Sequence, residues 1–319
     1  MLVIRKVHFR NFRCLRDVEL TLEPLTVIVG PNSSGKTTVL DGLCPTVVAD
    51  TDVSGFWQRN PLLKVSVEWA YDTGVYFYTQ VEQTKAPREP LKISSGGSSK
   101  IRHSHQSSVF DLMALRGENV LAYAPALTTI GDNLTNVFAS LTRQQQANVA
   151  KELCRLVPMF SDVDLQPTSG GQQRLRFQDR WKSDLWLSPQ EVSDGTMLLL
   201  AFIVLQYQEK QVSLLTIEDP ERALHPYLLD ELIQMLRKMT TGELGQKPVQ
   251  VVLATHSAEL LDYVRPEEVR FLTRSQQDGS VQVHQAPSNT TNWRRVYEEY
   301  NQSLGSVWLS GGVGGVPGA

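Results

Sequence analysis

The residues Gly30-Pro-Asn-Ser-Ser-Gly-Lys-Thr37 match the spacing G-x-x-x-x-G-K-[ST] at every fixed position. That pattern does one kind of chemistry: it holds a polyphosphate. Gly30 and Gly35 let the backbone come closer than a Cβ would allow, so successive N–H groups can turn toward the anion. Lys36 would bridge the β- and γ-phosphates of a nucleoside triphosphate, and the Thr37 hydroxyl would ligate Mg²⁺. Pro31, Asn32, Ser33 and Ser34 complete the loop and Thr38 follows it, so Gly30 through Thr38 is the candidate nucleotide contact.

Three further places carry candidate groups. Val212-Ser-Leu-Leu-Thr-Ile217 reads as a buried strand ending in Glu218-Asp-Pro-Glu221. Acidic residues at the carboxyl end of a parallel strand lie beside a phosphate loop in a doubly wound sheet. Val251-Val-Leu-Ala-Thr-His-Ser257 reads as another buried strand, ending in Thr-His-Ser. Ser193-Asp-Gly-Thr196 precedes the apolar run Met197 to Leu205; Ser193 suits a helix N-cap and Asp194 a first turn. Ser169-Gly-Gly-Gln-Gln173 spells a transporter-type signature, but Arg174 to Trp181 after it alternates like a strand. That stretch is a hairpin turn, and Ser193 is the better candidate.

Elements must bring these groups together. Leu25 to Val29 before the loop reads as a short buried strand, and Thr38 to Leu43 after it opens a helix. Ahead of them, Val3 to Phe9, Asp17 to Glu23 and Leu25 to Val29 read as three strands in antiparallel succession. Leu63 to Trp69 and Val75 to Glu82 alternate like a meander around Asp72-Thr-Gly74. Lys92 to Ser108 is rich in Ser, Gly, Lys and His and reads as a mobile, solvated loop. Asn133 to Leu156 has helical spacing, with Leu134, Val137, Phe138, Leu141, Val149, Leu153 and Leu156 on one side. Val269 to Arg274 and Ser280 to His284 flank the hairpin signal Asp278-Gly279.

The opening Asn11-Phe-Arg13 ahead of Thr26-Val-Ile-Val-Gly30, then Ser-Asp-Gly-Thr, Glu-Asp-Pro and Thr-His-Ser in that order, resembles the ATPase heads of the RecF/SMC/OLD group. Those are ABC-type ATPases outside the transporters. The resemblance spans most of the chain and implies an α/β head. A P-loop core sheet would carry an N-terminal antiparallel β subdomain and an inserted β/helical lobe. It places Arg13 near the base or ribose. It assigns Glu218 to Mg²⁺ and Asp219 to the base that orients the attacking water. His256 would be the switch histidine that contacts the γ-phosphate. The Ser193 side chain and the Gly195 backbone N–H of one protomer would bind the γ-phosphate held by the other. ATP and Mg²⁺ would thus sit in a head-to-tail homodimer. Asp219 is one methylene shorter than the usual glutamate, which points to slow or partner-dependent hydrolysis. The glutamine-bearing loop of such heads could fall at Gln80 or Gln83. No acidic cluster of the kind a Toprim nuclease uses follows His256, so the resemblance implies a separately encoded effector such as a nuclease. DNA repair and antiviral defence are the settings it suggests.

Composition bounds the rest. The 319 residues are 41% hydrophobic and 20% charged, with net charge −3, ordinary for a globular protein. A general affinity for nucleic acid is therefore not expected; DNA contact would need a local basic patch, for which Lys92, Lys100, Arg102, His103 and His105 are available. Three cysteines, Cys14, Cys44 and Cys154, with no C-x-x-C pair argue for a reducing compartment. Met1-Leu-Val-Ile-Arg-Lys6 lacks a signal-peptide apolar core and no apolar run could span a bilayer. A cytoplasmic location is expected. With no long heptad run, coiled-coil arms are excluded. The expected organisation is a discontinuous nucleotide-binding core from residues 1–45 and 190–319, with 46–189 as the inserted lobe and a loop near 92–108.

Overall fold

The computed structural model describes residues 3–83, 92–97, 103–243, 247–288 and 290–313. β1 (Ile4–Phe12) and β2 (Leu15–Thr21) bury one face, whereas β3 (Leu25–Val29) is buried along its whole length, as a strand covered on both faces must be. α1 (Lys36–Gly42) and α2 (Pro45–Ala49) follow. Next come β4 (Lys64–Tyr71), β5 (Tyr76–Glu82), β6 (Lys92–Gly97) and β7 (His105–Ser108). The middle of the chain holds β8 (Asn119–Val120), α3 (Leu134–Ser140), α4 (Arg143–Leu156), β9 (Phe160–Pro167), β10 (Gln172–Asp179) and β11 (Trp186–Leu187). After these stand α5 (Asp194–Tyr207), β12 (Leu214–Glu218), α6 (Leu229–Thr241), β13 (Gln250–Thr255) and α7 (Ala258–Leu261). β14 (Val269–Arg274), β15 (Val281–His284), α8 (Thr291–Glu299) and α9 (Leu304–Leu309) come last.

The chain divides into two compact units. The first comprises Met1–His105, Ser213–Pro220 and Pro248–Ala319; the second comprises Gln106–Val212 and Glu221–Lys247. This partition differs from cuts at 45 and 190. β4 to β6 join the sheet begun by β1, so residues just after 45 fold with the phosphate loop. α5 packs on α3, α4 and α6 in the second unit.

The first unit contains two sheets. One runs β2-β1-β4-β5-β6 and is antiparallel throughout. The other runs β15-β14-β3-β13-β12, with β14, β3, β13 and β12 parallel and β15 antiparallel at the end. β3 therefore does not extend the antiparallel series expected for the first three strands. An apolar strand with no polar face belongs in the middle of the parallel sheet, and the Val251 amide, which donates to the Pro24 carbonyl at 2.8 Å, helps hold it there. The core between the sheets joins Val7, Phe9, Phe12 and Leu15 to Val39 and Leu40 of α1 and to Leu43 just after it.

The expected loop at 92–108 is largely something else. Lys92–Gly97 is an exposed strand paired with β5, and His103 is buried; Lys100 and Arg102 lie outside the described residues. In the second unit β9 and β10 pair antiparallel around Ser169–Gly171, where Gly170 and Gly171 both take positive φ. That is the hairpin expected there. The helical stretch after Asn133 breaks at Leu141, because Thr142 and Gln145 close a capping box that starts α4 afresh. α5 is buried on all sides from Gly195 to Gln206, as a helix without a polar face requires.

Candidate functional site

Register decides where the chemistry collects. Val29 pairs with Thr255, and Ala254 pairs with Glu218, so β3, β13 and β12 reach their carboxyl ends on one line. The next residues, Gly30, His256 and Asp219, lie side by side along that edge, where open α/β sheets bind ligands.

The loop after β3 is shaped by its neighbours. A Cβ on Gly30 would lie 2.6 Å from the Leu272 carbonyl oxygen and 2.6 Å from Ser34 Oγ. Gly35 has φ 107°, and a Cβ there would lie 2.8 Å from the Val281 side chain. Ser33 also sits in the left-handed region at φ 62°. Lys36 Nζ donates to the Gly30 carbonyl at 2.8 Å and the Pro31 carbonyl at 3.1 Å, so its ammonium spans the loop. The Ser34 hydroxyl is buried and has no hydrogen-bond partner among the described residues. No side chain caps α1 at Gly35, which leaves its first amides for an anion. Asn32 and Thr37 are exposed, while Pro31 and Thr38 are half-buried.

Thr37 Oγ1 donates to Glu218 Oε1 in a short hydrogen bond. A hydroxyl and a carboxylate thus stand together as hard oxygen donors of the kind Mg²⁺ takes. Next to them Asp219 takes φ 45°, its amide donating to the Ala254 carbonyl at 2.9 Å. Its carboxylate oxygen lies 3.0 Å from Nδ1 of the exposed His256. The glycine cradle, the orphaned Ser34 hydroxyl and the Thr37–Glu218 pair fit a nucleotide with Mg²⁺.

Arg13 is placed otherwise than as a free arm. With φ 48°, its guanidinium donates to Asp41 of α1 and lies 5.2 Å from the Phe12 ring centroid. Arg274 carries a role that nothing in the sequence signalled: its Nε donates to the Ser33 carbonyl at 2.9 Å and its Nη1 to the Gly279 carbonyl at 2.6 Å. It ties the β14–β15 hairpin to the phosphate loop. His103 and His105 are not phosphate ligands. His103 sits between the Tyr71 hydroxyl and the Leu43 carbonyl, each at 2.8 Å, and His105 lies 2.9 Å from the Thr216 hydroxyl. Burial pushes both rings down to about 4.

In the second unit Ser193 Oγ accepts from the Thr196 amide at 3.2 Å and caps α5. Gly195 is required by packing: a Cβ would lie 2.6 Å from the Ala223 carbonyl oxygen. Arg116, another residue the sequence did not single out, donates to the Pro189 and Val192 carbonyls and to Asp194 at 2.6 Å. It fixes the turn that presents Ser193.

The fold and this edge define an ABC-type ATPase head. Three solved heads share the architecture at low identity. The SMC head domain from Thermotoga maritima matches with TM-score 0.54 and 13% identity, covering 88% of this chain and 97% of that one. An SMC head bound to the C-terminal winged-helix domain of ScpA gives 0.59 at 12% identity, over 88% and 97%. An SMC head with an extended coiled coil, bound to a ScpA C-terminal domain derived from Pyrococcus furiosus, gives 0.62 at 10%, over 94% and 100%. Residues 103–262 match the family described as "AAA domain, putative AbiEii toxin, Type IV TA system", and residues 3–45 match "AAA ATPase domain". The chain belongs to this AAA-domain family and shares its fold with the SMC heads. A curated relative, the OLD nuclease of Thermus scotoductus, is 23% identical over 88% of this chain. The chain spans 63% of that relative's length. Among the described residues no helix is long and apolar enough to cross a membrane.

Proposed function

We propose that this protein binds and hydrolyses ATP, with two copies pairing head to tail around the nucleotide. The observation that carries the reading is the common strand edge, where Thr37 meets Glu218 and Asp219 meets His256. Mg²⁺ held by Thr37 and Glu218 would supply charge stabilisation at the phosphates. Lys36 would leave its loop carbonyls for the phosphate oxygens. Asp219 would orient water and take its proton, and His256 would sense the terminal phosphate through the bond it already makes to Asp219. Ser193 and Gly195 would complete the partner's site. The cycle would drive a separately encoded effector such as a nuclease, in a DNA transaction or in defence against phage; the OLD nuclease relative supports that assignment.

The test mixes two variants. Ser193→Ala and Asp219→Ala should each be inactive alone, yet a mixture should recover turnover, because one composite site in the mixed dimer is intact. Turnover per molecule in the wild type should rise with concentration. No recovery, with turnover independent of concentration, would refute composite sites.

A second reading rests on Asp219, which is short and already engaged with His256. ATP would then act as a dimerisation switch with little hydrolysis. Rapid turnover by the isolated protein would exclude it.

A further inference from the structure

α7 is only four residues long, Ala258–Leu261. A single turn cannot hold its own shape in water, because nucleation costs more than one turn returns. Its position must come from what packs on it, and that position fixes the peptide immediately after His256. Two buried leucines, Leu260 and Leu261, anchor one side, and Ser257 Oγ accepts from the Leu260 amide at 3.2 Å.

A further contact comes from the stretch around Gly305, to which the nucleotide site assigns no part. α9 lays Gly305 flat on the first residue of α7. A Cβ on Gly305 would lie 2.2 Å from the Ala258 carbonyl oxygen and 2.8 Å from its carbon. Both are backbone atoms, so no side chain can swing aside. The pairing is locked from below: Asp262 accepts from the Gly305 amide at 3.0 Å and from the Ser303 hydroxyl at 2.9 Å. Leu304, Val307 and Trp308 of α9 are buried as well.

We propose that α9 is a brace for the histidine at the end of β13, and that Gly305 is a positioning residue for His256. The proposal rests on the reading of His256 given above. Gly305→Ala would push the Ala258 peptide away, and His256, two residues earlier, would lose its alignment with Asp219. Misplacement by about an ångström near reacting groups costs ten- to a hundredfold in rate. The displacement would run from Gly305 through Ala258 to His256, so substrate binding should be spared.

The experiment combines kinetics with the NMR signal of the His256 ring, assigned by its loss in His256→Gln. In Gly305→Ala we expect the ring signal to move at constant pH, kcat to fall roughly tenfold or more, and the KM for ATP to stay within about twofold. A folded Gly305→Ala protein with the His256 signal in its native place and native kcat overturns the proposal. If Gly305→Ala does not fold, Ser303→Ala is measured instead; an unmoved ring signal there overturns it equally. Should the wild type turn over no ATP, the catalytic reading falls, and the ring signal alone decides whether α9 braces His256.

Discussion

Asp219 and His256 face each other at 3.0 Å while Asp219 holds a left-handed backbone. The two facts belong together. The positive φ turns the carboxylate off the line of β12 and toward the end of β13, and the Asp219 amide bond to Ala254 holds that turn. A non-glycine residue in this region costs on the order of 1 kcal/mol, which persists where surrounding contacts impose it.

Asp219→Gly therefore separates stability from activity. The backbone strain is relieved, so thermal unfolding should be unchanged or higher by up to about 1 kcal/mol. ATP turnover should fall by about a hundredfold or more with the loss of the proposed base. Calorimetry and a phosphate-release assay on the same preparation check both halves. Loss of stability would mean that the carboxylate chiefly holds the fold.

The Thr37–Glu218 pair gives a metal-dependent prediction. Thr37→Val and Glu218→Gln should weaken binding of ATP about tenfold or more in Mg²⁺, and much less when the metal is chelated. Fluorescent-nucleotide titrations with and without EDTA measure this. Equal weakening in both conditions would assign the pair to loop structure instead.

Arg274→Ala removes the bond to the Ser33 carbonyl and frees the outer side of the phosphate loop. We expect a several-fold rise in KM for ATP with a smaller change in kcat. Stability should shift by about 1 kcal/mol or less, because the guanidinium is exposed. Steady-state kinetics with a urea titration decides it.

How much of this was legible in sequence depends on how local the cause is. The phosphate loop, the cap at Ser193 and the hairpins at Ser169–Gly171 and Asp278-Gly279 are set by neighbours a few residues away, and each formed as the pattern implied. Sheet membership is not local. β3 reads like any apolar strand, and only its burial on both faces sends it to the parallel sheet. Arg274 and Arg116 were hidden for the same reason: each is an ordinary arginine until the fold brings it to a carbonyl far along the chain. His103 and His105 stand beside a polar, glycine-rich stretch, which suggested solvent, yet His103 is buried and His105 half-buried.

Those two histidines make stability depend on pH. Burial lowers each from its ordinary 6.5 to about 4 in the fold, so the unfolded chain takes up their protons first. Stability should be level above pH 6.5, fall as pH drops toward 4, and level off for these groups below that. The limiting loss is on the order of 3 kcal/mol for each ring. Urea midpoints at successive pH values test the slope, and His103→Gln should flatten it. An unchanged slope in that variant would place the acid sensitivity elsewhere.

Gly195 and Ser193 separate packing from chemistry at the start of α5. Gly195→Ala drives a methyl into the Ala223 carbonyl and should cost about 1–3 kcal/mol. Ser193→Ala loses a cap worth about 1 kcal/mol. If Ser193 also meets a partner's phosphate, its effect on turnover should far exceed that stability loss; an effect in proportion would leave it a cap alone.

The strand that carries Glu218 and Asp219 belongs to the first unit through Ser213–Pro220, yet the chain on either side of that segment belongs to the second. Connectivity of this kind makes the two units hereditary companions. A crossover or truncation that lifted out either one as a cassette would also sever the acidic strand from its continuation. Each unit can be retuned by point substitution, but neither can be excised as one continuous segment.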